Sequence, residues 1–204
     1  VLRLSKGMTY KAAISGLNLG GGKSVIIGDP NTQKSEAFFR KFGRYIDGLN
    51  GRYITAEDVG TTTKDMEYIK METKNVVGLP EVHGGGGDPS PVTAYGVYMG
   101  MKACAKKLYG SEELTQKKIL VEGVGKVGMY LLDHLAKENA QILVADINED
   151  NLRKASTEYG AQVVDLDNVF DTDFDIYAPC ALGATLNSDS IPKLKANIVA
   201  GAAN

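Results

Sequence analysis

The chain has 204 residues, 43% hydrophobic and 24% charged, with a formal net charge of −2. This is the balance of a folded globular protein, and it offers no basic face of the kind that neutralises nucleic-acid phosphates. No apolar run reaches the roughly 18 residues of a membrane span. Two cysteines without a CxxC and two histidines without metal-ligand spacing leave no disulfide framework and no metal site, which fits a reducing cytoplasmic compartment. The chain starts at Val1 without Met and stops at Asn204 straight after the strand-like "NIVAGAAN", so it reads as a piece of a longer protein.

The first notable stretch, "GLNLGGGKS" at residues 16–24, runs glycines into a lysine and a hydroxyl as a phosphate-binding loop does. A P-loop, G-x-x-x-x-G-K-[ST], places its first glycine at residue 17, which is Leu17; Gly16 comes one position early. A P-loop also leads into a helix, and "SVIIGD" has the pattern of a strand closed by a Gly-Asp-Pro turn. Both spacing and context reject the P-loop and, with it, a phosphotransferase.

Phe38, Phe42, Tyr45, Ile46 and Leu49 recur at helical spacing and predict a helix over 33–49. "GRYITAED" (51–58) predicts a second strand, and "TTTKDMEYIKMET" (61–73) a short helix with a hydroxyl-rich start. "GLPEVHGGGGDPSP" (78–91) is dominated by Gly and Pro and marks a junction between domains. Beyond it, Pro91 opens a long helix that Gly110 ends.

From Lys117 the rhythm is strand, helix, strand, helix. "KILVEG", "QILVAD", "AQVVD", "FDIYAP" and "ANIVAG" are strands, while "GKVGMYLLDHLAKEN" and "NEDNLRKASTEYG" are helices. Such alternation implies a parallel sheet with helices on its faces. The expected fold class is therefore α/β: a dinucleotide-binding domain of Rossmann type over residues 89–204, incomplete at its C-terminus and entered by a linking helix. Residues 1–88 precede it as part of an α/β substrate-binding domain.

Gly123, Gly125 and Gly128 stand at G-x-G-x-x-G spacing between an apolar strand and an amphipathic helix. That context turns a weak string into a dinucleotide fingerprint. The first glycine permits the tight turn, the second lets a pyrophosphate approach the backbone, and the third lets helix and strand pack closely. The helix then offers the phosphates its free N–H groups and positive dipole end. Asp146, 23 residues after Gly123, ends the next strand where a ribose-binding acid belongs. The acidic run "DINEDN" repels a 2′-phosphate, which favours NAD over NADP.

With the P-loop excluded, the glycines before Lys23 serve close approach of backbone and a small substrate. Lys11 lies twelve residues upstream of Lys23, and Asp58 sits in the turn "TAEDVGT". Two lysines and a carboxylate from separate segments form a candidate catalytic cluster.

"GMTYKAAISGLNLGGGKSVIIGDP", "FGRYIDGLNGRYITAEDVGTT", "PSPVTAYGVY" and "DIYAPCALGATLN" resemble the Glu/Leu/Phe/Val amino-acid dehydrogenase superfamily, with the leucine-acting branch nearest and the phenylalanine- and valine-acting branches as alternatives. The likeness covers nearly the whole chain. It implies NAD-dependent, reversible oxidative deamination of a branched-chain L-amino acid by a cytoplasmic homo-oligomer, commonly an octamer. Carried over by position, Lys11 pairs with the substrate carboxylate, Lys23 is the catalytic lysine and Asp58 the proton-transferring acid. Thr93 is implied at the nicotinamide amide, the "CALGA" loop from Cys180 to Ala184, with Cys180 and Ala181, beside the cofactor, and Asn204 at its nicotinamide end. Ala56 and Val77 are expected to line an apolar side-chain pocket. In the family, the "LPEVHGGGGD" stretch connects domains that flex; its four glycines and Asp88 depart from the serine and asparagine expected there. A protein that keeps the fold and binds NAD without catalysis is the reading from a different class, and retention of both lysines and Asp58 counts against it.

Overall fold

A computed structural model describes residues 1–203. They fall into two compact units, Val1–Pro89 and a second that begins at Ser90. The first contains helices α1 (Leu2–Ile14), α2 (Glu36–Asp47) and α3 (Thr63–Lys70). Helix α2 starts where the Ser35 side chain accepts the Phe38 N–H, and α3 starts on a capping box between Thr62 and Asp65. Asp65 is buried, and its Oδ2 accepts from the Thr62 N–H at 2.8 Å and pairs with Lys34 at 2.5 Å. The two helices close over Phe39, Ile46, Met66, Ile69, Val76 and Leu79. Gly43 lets them approach, since a Cβ there would lie 2.9 Å from the Ile69 carbonyl oxygen.

Two expectations for this unit change. "SVIIGD" forms no strand: Val25, Ile26 and Ile27 are exposed, Ile27 at 98%, and have no ladder partner among the described residues. A strand exists only through its neighbour's hydrogen bonds, and apolar alternation cannot supply one. "GRYITAED" likewise contributes a single parallel bridge, Thr55 to Val76. Helix α1, by contrast, was not signalled. Only Ala12 in it is buried, so no apolar stripe marks it.

The second unit is a five-stranded parallel sheet, β1 (Lys118–Glu122), β2 (Gln141–Ala145), β3 (Gln162–Val163), β4 (Ile176–Pro179) and β5 (Ile198–Val199), in the order β3-β2-β1-β4-β5. Helices α4 (Ser90–Tyr109), α5 (Lys126–Lys137) and α6 (Glu149–Tyr159) connect and cover it. This is the α/β class read from the rhythm of the sequence. Central β1 pairs Ile119 with Ile142 on one side and Ile176 on the other.

Strand alternation divides the apolar residues between two faces. Ile119, Val121, Ile142, Val144, Ile176 and Ala178 join Leu131, Leu132 and Leu135 of α5 in the larger core. Leu120, Leu143, Ala145 and Tyr177 join Val169 and Phe174 in a smaller one on the opposite face. No described helix is long and apolar enough to cross a membrane.

At the upper end of the smaller core, the buried Glu122 carboxylate accepts a hydrogen bond from the Tyr177 hydroxyl. Burial, then the neighbouring Glu122, pushes the tyrosine well above its ordinary pKa, so it remains a donor. Tyr177→Phe strips a buried carboxylate of its donor and should destabilise this unit by about 1–3 kcal/mol. Urea unfolding followed by circular dichroism measures this, and an unchanged midpoint would show the bond to be energetically silent.

Candidate active site

In the first unit, the candidate residues come from three segments. Lys11 lies in the last turn of α1. Lys23 follows the glycine run, and Asp58 follows the Thr55 to Val76 bridge. The structure brings the last two together: the Lys23 ammonium donates to Asp58 Oδ2 across 35 residues of chain. No helix follows Lys23, so the phosphate cradle of a P-loop is absent at this point.

Asp58 is held from the other side as well. Its Oδ1 accepts the Val59 N–H at 2.8 Å, and its own N–H donates to Thr61 Oγ1 at 2.9 Å. Burial alone would raise its pKa. The hydrogen bonds from Lys23 and the Val59 N–H outweigh that, together with the charges of Lys23 and Lys11, and hold the carboxyl below its ordinary 3.8. The sign is that of a depressed acid: the pair is intact at neutral pH and is lost only as pH falls below 3.8 through the lowered value. Both lysines thus act electrostatically on one carboxylate.

Ala56 and Val77 each follow a member of the Thr55 to Val76 bridge. Thr55 and Val76 point into the core at 4% and 5% exposure, so their successors face the other way, both exposed. Both apolar side chains are therefore exposed, on the side of the bridge away from the core.

The second unit carries the fingerprint, and each glycine has a measurable reason. Gly123 has φ +90, and a Cβ on it would lie 2.5 Å from the Ala181 nitrogen. A Cβ on Gly128 would lie 2.1 Å from the Gly123 oxygen, so this residue sets how closely α5 packs on β1. At Gly125 a Cβ would meet nothing within 4 Å. Gly125 is also the N-cap of α5 and provides no side-chain cap. Open space in front of an uncapped helix N-terminus is what a bound pyrophosphate requires.

Asp146 directly follows β2 beside this turn. Its Oδ2 accepts the Val124 N–H at 2.7 Å and its Oδ1 the Asn148 N–H at 2.8 Å. The "CALGA" loop leaves β4 next to it: the Cys180 N–H donates to the Glu122 oxygen at 2.7 Å, and Ala181 sits against Gly123. Burial pushes the Cys180 thiol up, against a smaller opposing effect from the Ala202 backbone, so it stays protonated. Thr93 is exposed in the first turn of α4. Asn204 lies outside the described residues. No group of three His, Cys, Asp or Glu among the described residues is arranged to hold a metal ion.

Sequence reasoning passed over Thr9 and Tyr53, which contact the glycine run, and weighed Ser24 only as the hydroxyl of a P-loop. It also missed Glu122 and Tyr177 behind the fingerprint. The only advance signal was proximity: Thr9 lies two positions before Lys11, Ser24 directly after Lys23, and Glu122 directly before Gly123.

Known proteins resemble the chain along its whole length. Residues 1–75 match the family model for the Glu/Leu/Phe/Val dehydrogenase dimerisation domain. Leucine dehydrogenase of Bacillus subtilis (strain 168) is 59% identical over 203 residues, covering 100% of this chain and 56% of that protein. Valine dehydrogenase of Streptomyces virginiae is 45% identical over 207 residues, covering 100% and 58%. Among solved structures, L-tryptophan dehydrogenase from Nostoc punctiforme superposes with a TM-score of 0.73 at 43% identity, over 100% of this chain and 57% of that one. The chain therefore spans just over half the length of the curated relatives it matches.

The glycine geometry separates packing from binding. Gly123→Ala and Gly128→Ala should each cost about 1–3 kcal/mol or more through backbone clash. Gly125→Ala should cost no more than about 1 kcal/mol, the penalty of a poor N-cap. Urea midpoints of the three variants measure the difference, and an equal loss in all three would refute the assignment.

Proposed function

As the chain belongs to the Glu/Leu/Phe/Val amino-acid dehydrogenase family, we propose that the protein catalyses the NAD-dependent, reversible oxidative deamination of a branched-chain L-amino acid. Leucine is its first substrate, yielding 4-methyl-2-oxopentanoate and ammonia. The observation that carries this reading is the Lys23–Asp58 pair with the charge of Lys11 acting on the same carboxylate. A carboxylate tied to two ammonium groups suits an amino acid, whose own groups are a carboxylate and an ammonium.

Lys11 supplies the positive charge for the substrate carboxylate. Asp58, kept ionised by its neighbours, carries protons to and from the substrate nitrogen. Lys23 orients the water that attacks the substrate Cα at its iminium stage and hands the released proton toward Asp58. General acid–base help of this kind contributes roughly 10²–10⁴-fold. Ala56 and Val77 form aliphatic wall for the side chain. A wall of that kind distinguishes substrates by about 1–3 kcal/mol per methylene, so leucine, isoleucine and valine are all accepted.

In this reading residues 1–88 are the substrate unit and residues 89–204 the cofactor unit. Gly123, Gly125 and Gly128 with the start of α5 hold the pyrophosphate, Asp146 the ribose hydroxyls, and Thr93, Cys180, Ala181 and Asn204 the nicotinamide end. The open space at Gly125 supports that fit. When bound, NAD supplies the hydride-accepting chemistry, and the protein supplies position and charge. The working enzyme is a cytoplasmic homo-oligomer, an octamer.

In the full-length enzyme, Lys23→Ala should lower kcat by at least about 10²-fold with NAD affinity retained, and Asp58→Asn should do the same. NADH absorbance with leucine, valine, isoleucine and phenylalanine gives kcat/KM for each. Near-normal kcat in Lys23→Ala removes the lysine from the scheme. A wild-type enzyme that binds NAD yet forms no NADH from any of the four is a binding protein instead, and phenylalanine as best substrate would move the activity to the aromatic branch.

A further inference from the structure

The glycine run that carries Lys23 is tied down on both sides of that residue. On one side, the Gly21 N–H donates to Thr9 Oγ1 at 3.0 Å, while the Thr9 hydroxyl donates to the Ser5 carbonyl at 3.1 Å. On the other, Ser24 Oγ and the Tyr53 hydroxyl share a hydrogen bond of 2.6 Å. Between these ties the chain runs against its supports. A Cβ on Gly21 would lie 1.9 Å from the Ser5 oxygen, and one on Gly22 would lie 2.7 Å from the Tyr53 ring.

The two supports belong to the segments that carry the other candidate groups. Thr9 is two residues before Lys11 on α1, and Tyr53 is five before Asp58. The Tyr53 ring packs against the core of Phe39, Ile46 and Ile69, which gives that tie a firm base. A glycine-rich loop has the largest conformational freedom of any chain segment. A lysine side chain adds about 2 kcal/mol of rotamer entropy of its own. Without anchors on either side, only the half-exposed Asp58 carboxylate would hold the Lys23 ammonium.

We infer that Thr9 and Tyr53 are positioning residues: their hydroxyls pin the glycine run at Gly21 and Ser24 and so fix the ammonium of Lys23 relative to Asp58. The inference rests on the deamination reading for its effect on turnover, but not for its effect on Lys23 itself. It also accounts for the glycines at 21 and 22, which serve close packing on α1 and Tyr53. A misplacement of about 1 Å at a reacting group costs on the order of 10²-fold in rate.

The test uses the full-length enzyme with Thr9→Val, Thr9→Ser and Tyr53→Phe. Three quantities are read: kcat, KM for NAD, and the rate at which trinitrobenzenesulfonate modifies Lys23 relative to exposed Lys41, located by peptide mass mapping. Thr9→Val and Tyr53→Phe should lower kcat by roughly tenfold or more. KM for NAD should stay within about twofold, because uniform binding is untouched. Both should change the relative labelling of Lys23, and Thr9→Ser, which keeps the hydroxyl, should restore both quantities.

Wild-type kcat and wild-type Lys23 labelling in both Thr9→Val and Tyr53→Phe would overturn the inference. Should Thr9→Val fail to fold by circular dichroism, Tyr53→Phe decides alone, since it removes one hydroxyl and keeps the ring beside Gly22. A wild-type enzyme without NADH formation sinks the deamination reading only. Labelling then still decides whether residues 9 and 53 hold Lys23.

Discussion

An ammonium and a carboxylate 35 residues apart in the chain meet in the Lys23–Asp58 pair, and the reading of the first unit depends on that meeting. The pair is a poor strut. Asp58 keeps 52% of its side chain exposed, and exposed ion pairs add roughly 0–1 kcal/mol. The fold of this unit comes instead from Phe39, Ile46, Met66 and Ile69 between α2 and α3, with the capping box that starts α3. Yet Asp58 has both oxygens engaged and the charge of Lys11 acting on it. Polar groups organised this tightly where they add little stability support the proposed proton-handling role of this cluster.

Glycine does two separate jobs in this protein, and the distances tell them apart. At Gly21, Gly22, Gly123 and Gly128 the missing side chain lets backbone pack against backbone or ring, and a Cβ would collide at 1.9 to 2.7 Å. At Gly125 there is no collision at all, and the space lies in front of a helix start without a side-chain cap. Packing glycines hold the two loops in shape, and the open one leaves room for a ligand. The same letter in "GLNLGGGKS" and "GVGKVG" therefore carries different physics at each position.

The second unit shows how a site is supported from behind. Glu122 and Tyr177 close the end of the smaller core directly below Gly123. The Cys180 N–H ties the "CALGA" loop to the Glu122 carbonyl, and the Val124 N–H ties the turn to Asp146. Strand ends, loop and fingerprint thus share one hydrogen-bonded frame, which the neighbouring apolar layers hold rigid.

Local pattern alone determined the second unit: short strands rich in apolar residues, helices at 3.6-residue spacing, and a glycine spacing that means a turn between the two. Each is a short-range property, written in neighbouring residues. It also supplied Lys11, Lys23 and Asp58 as a candidate cluster, to which family likeness gave roles. The fate of "SVIIGD" was beyond its reach, because a strand is completed by a partner elsewhere in the chain and Val25, Ile26 and Ile27 have none among the described residues. So was the grip of Thr9 and Tyr53 on the glycine run, since contacts across 12 and 29 residues leave no periodic trace. Only the folded chain decides which distant groups stand within hydrogen-bond reach, because that reach is set by packing in three dimensions and spacing records one.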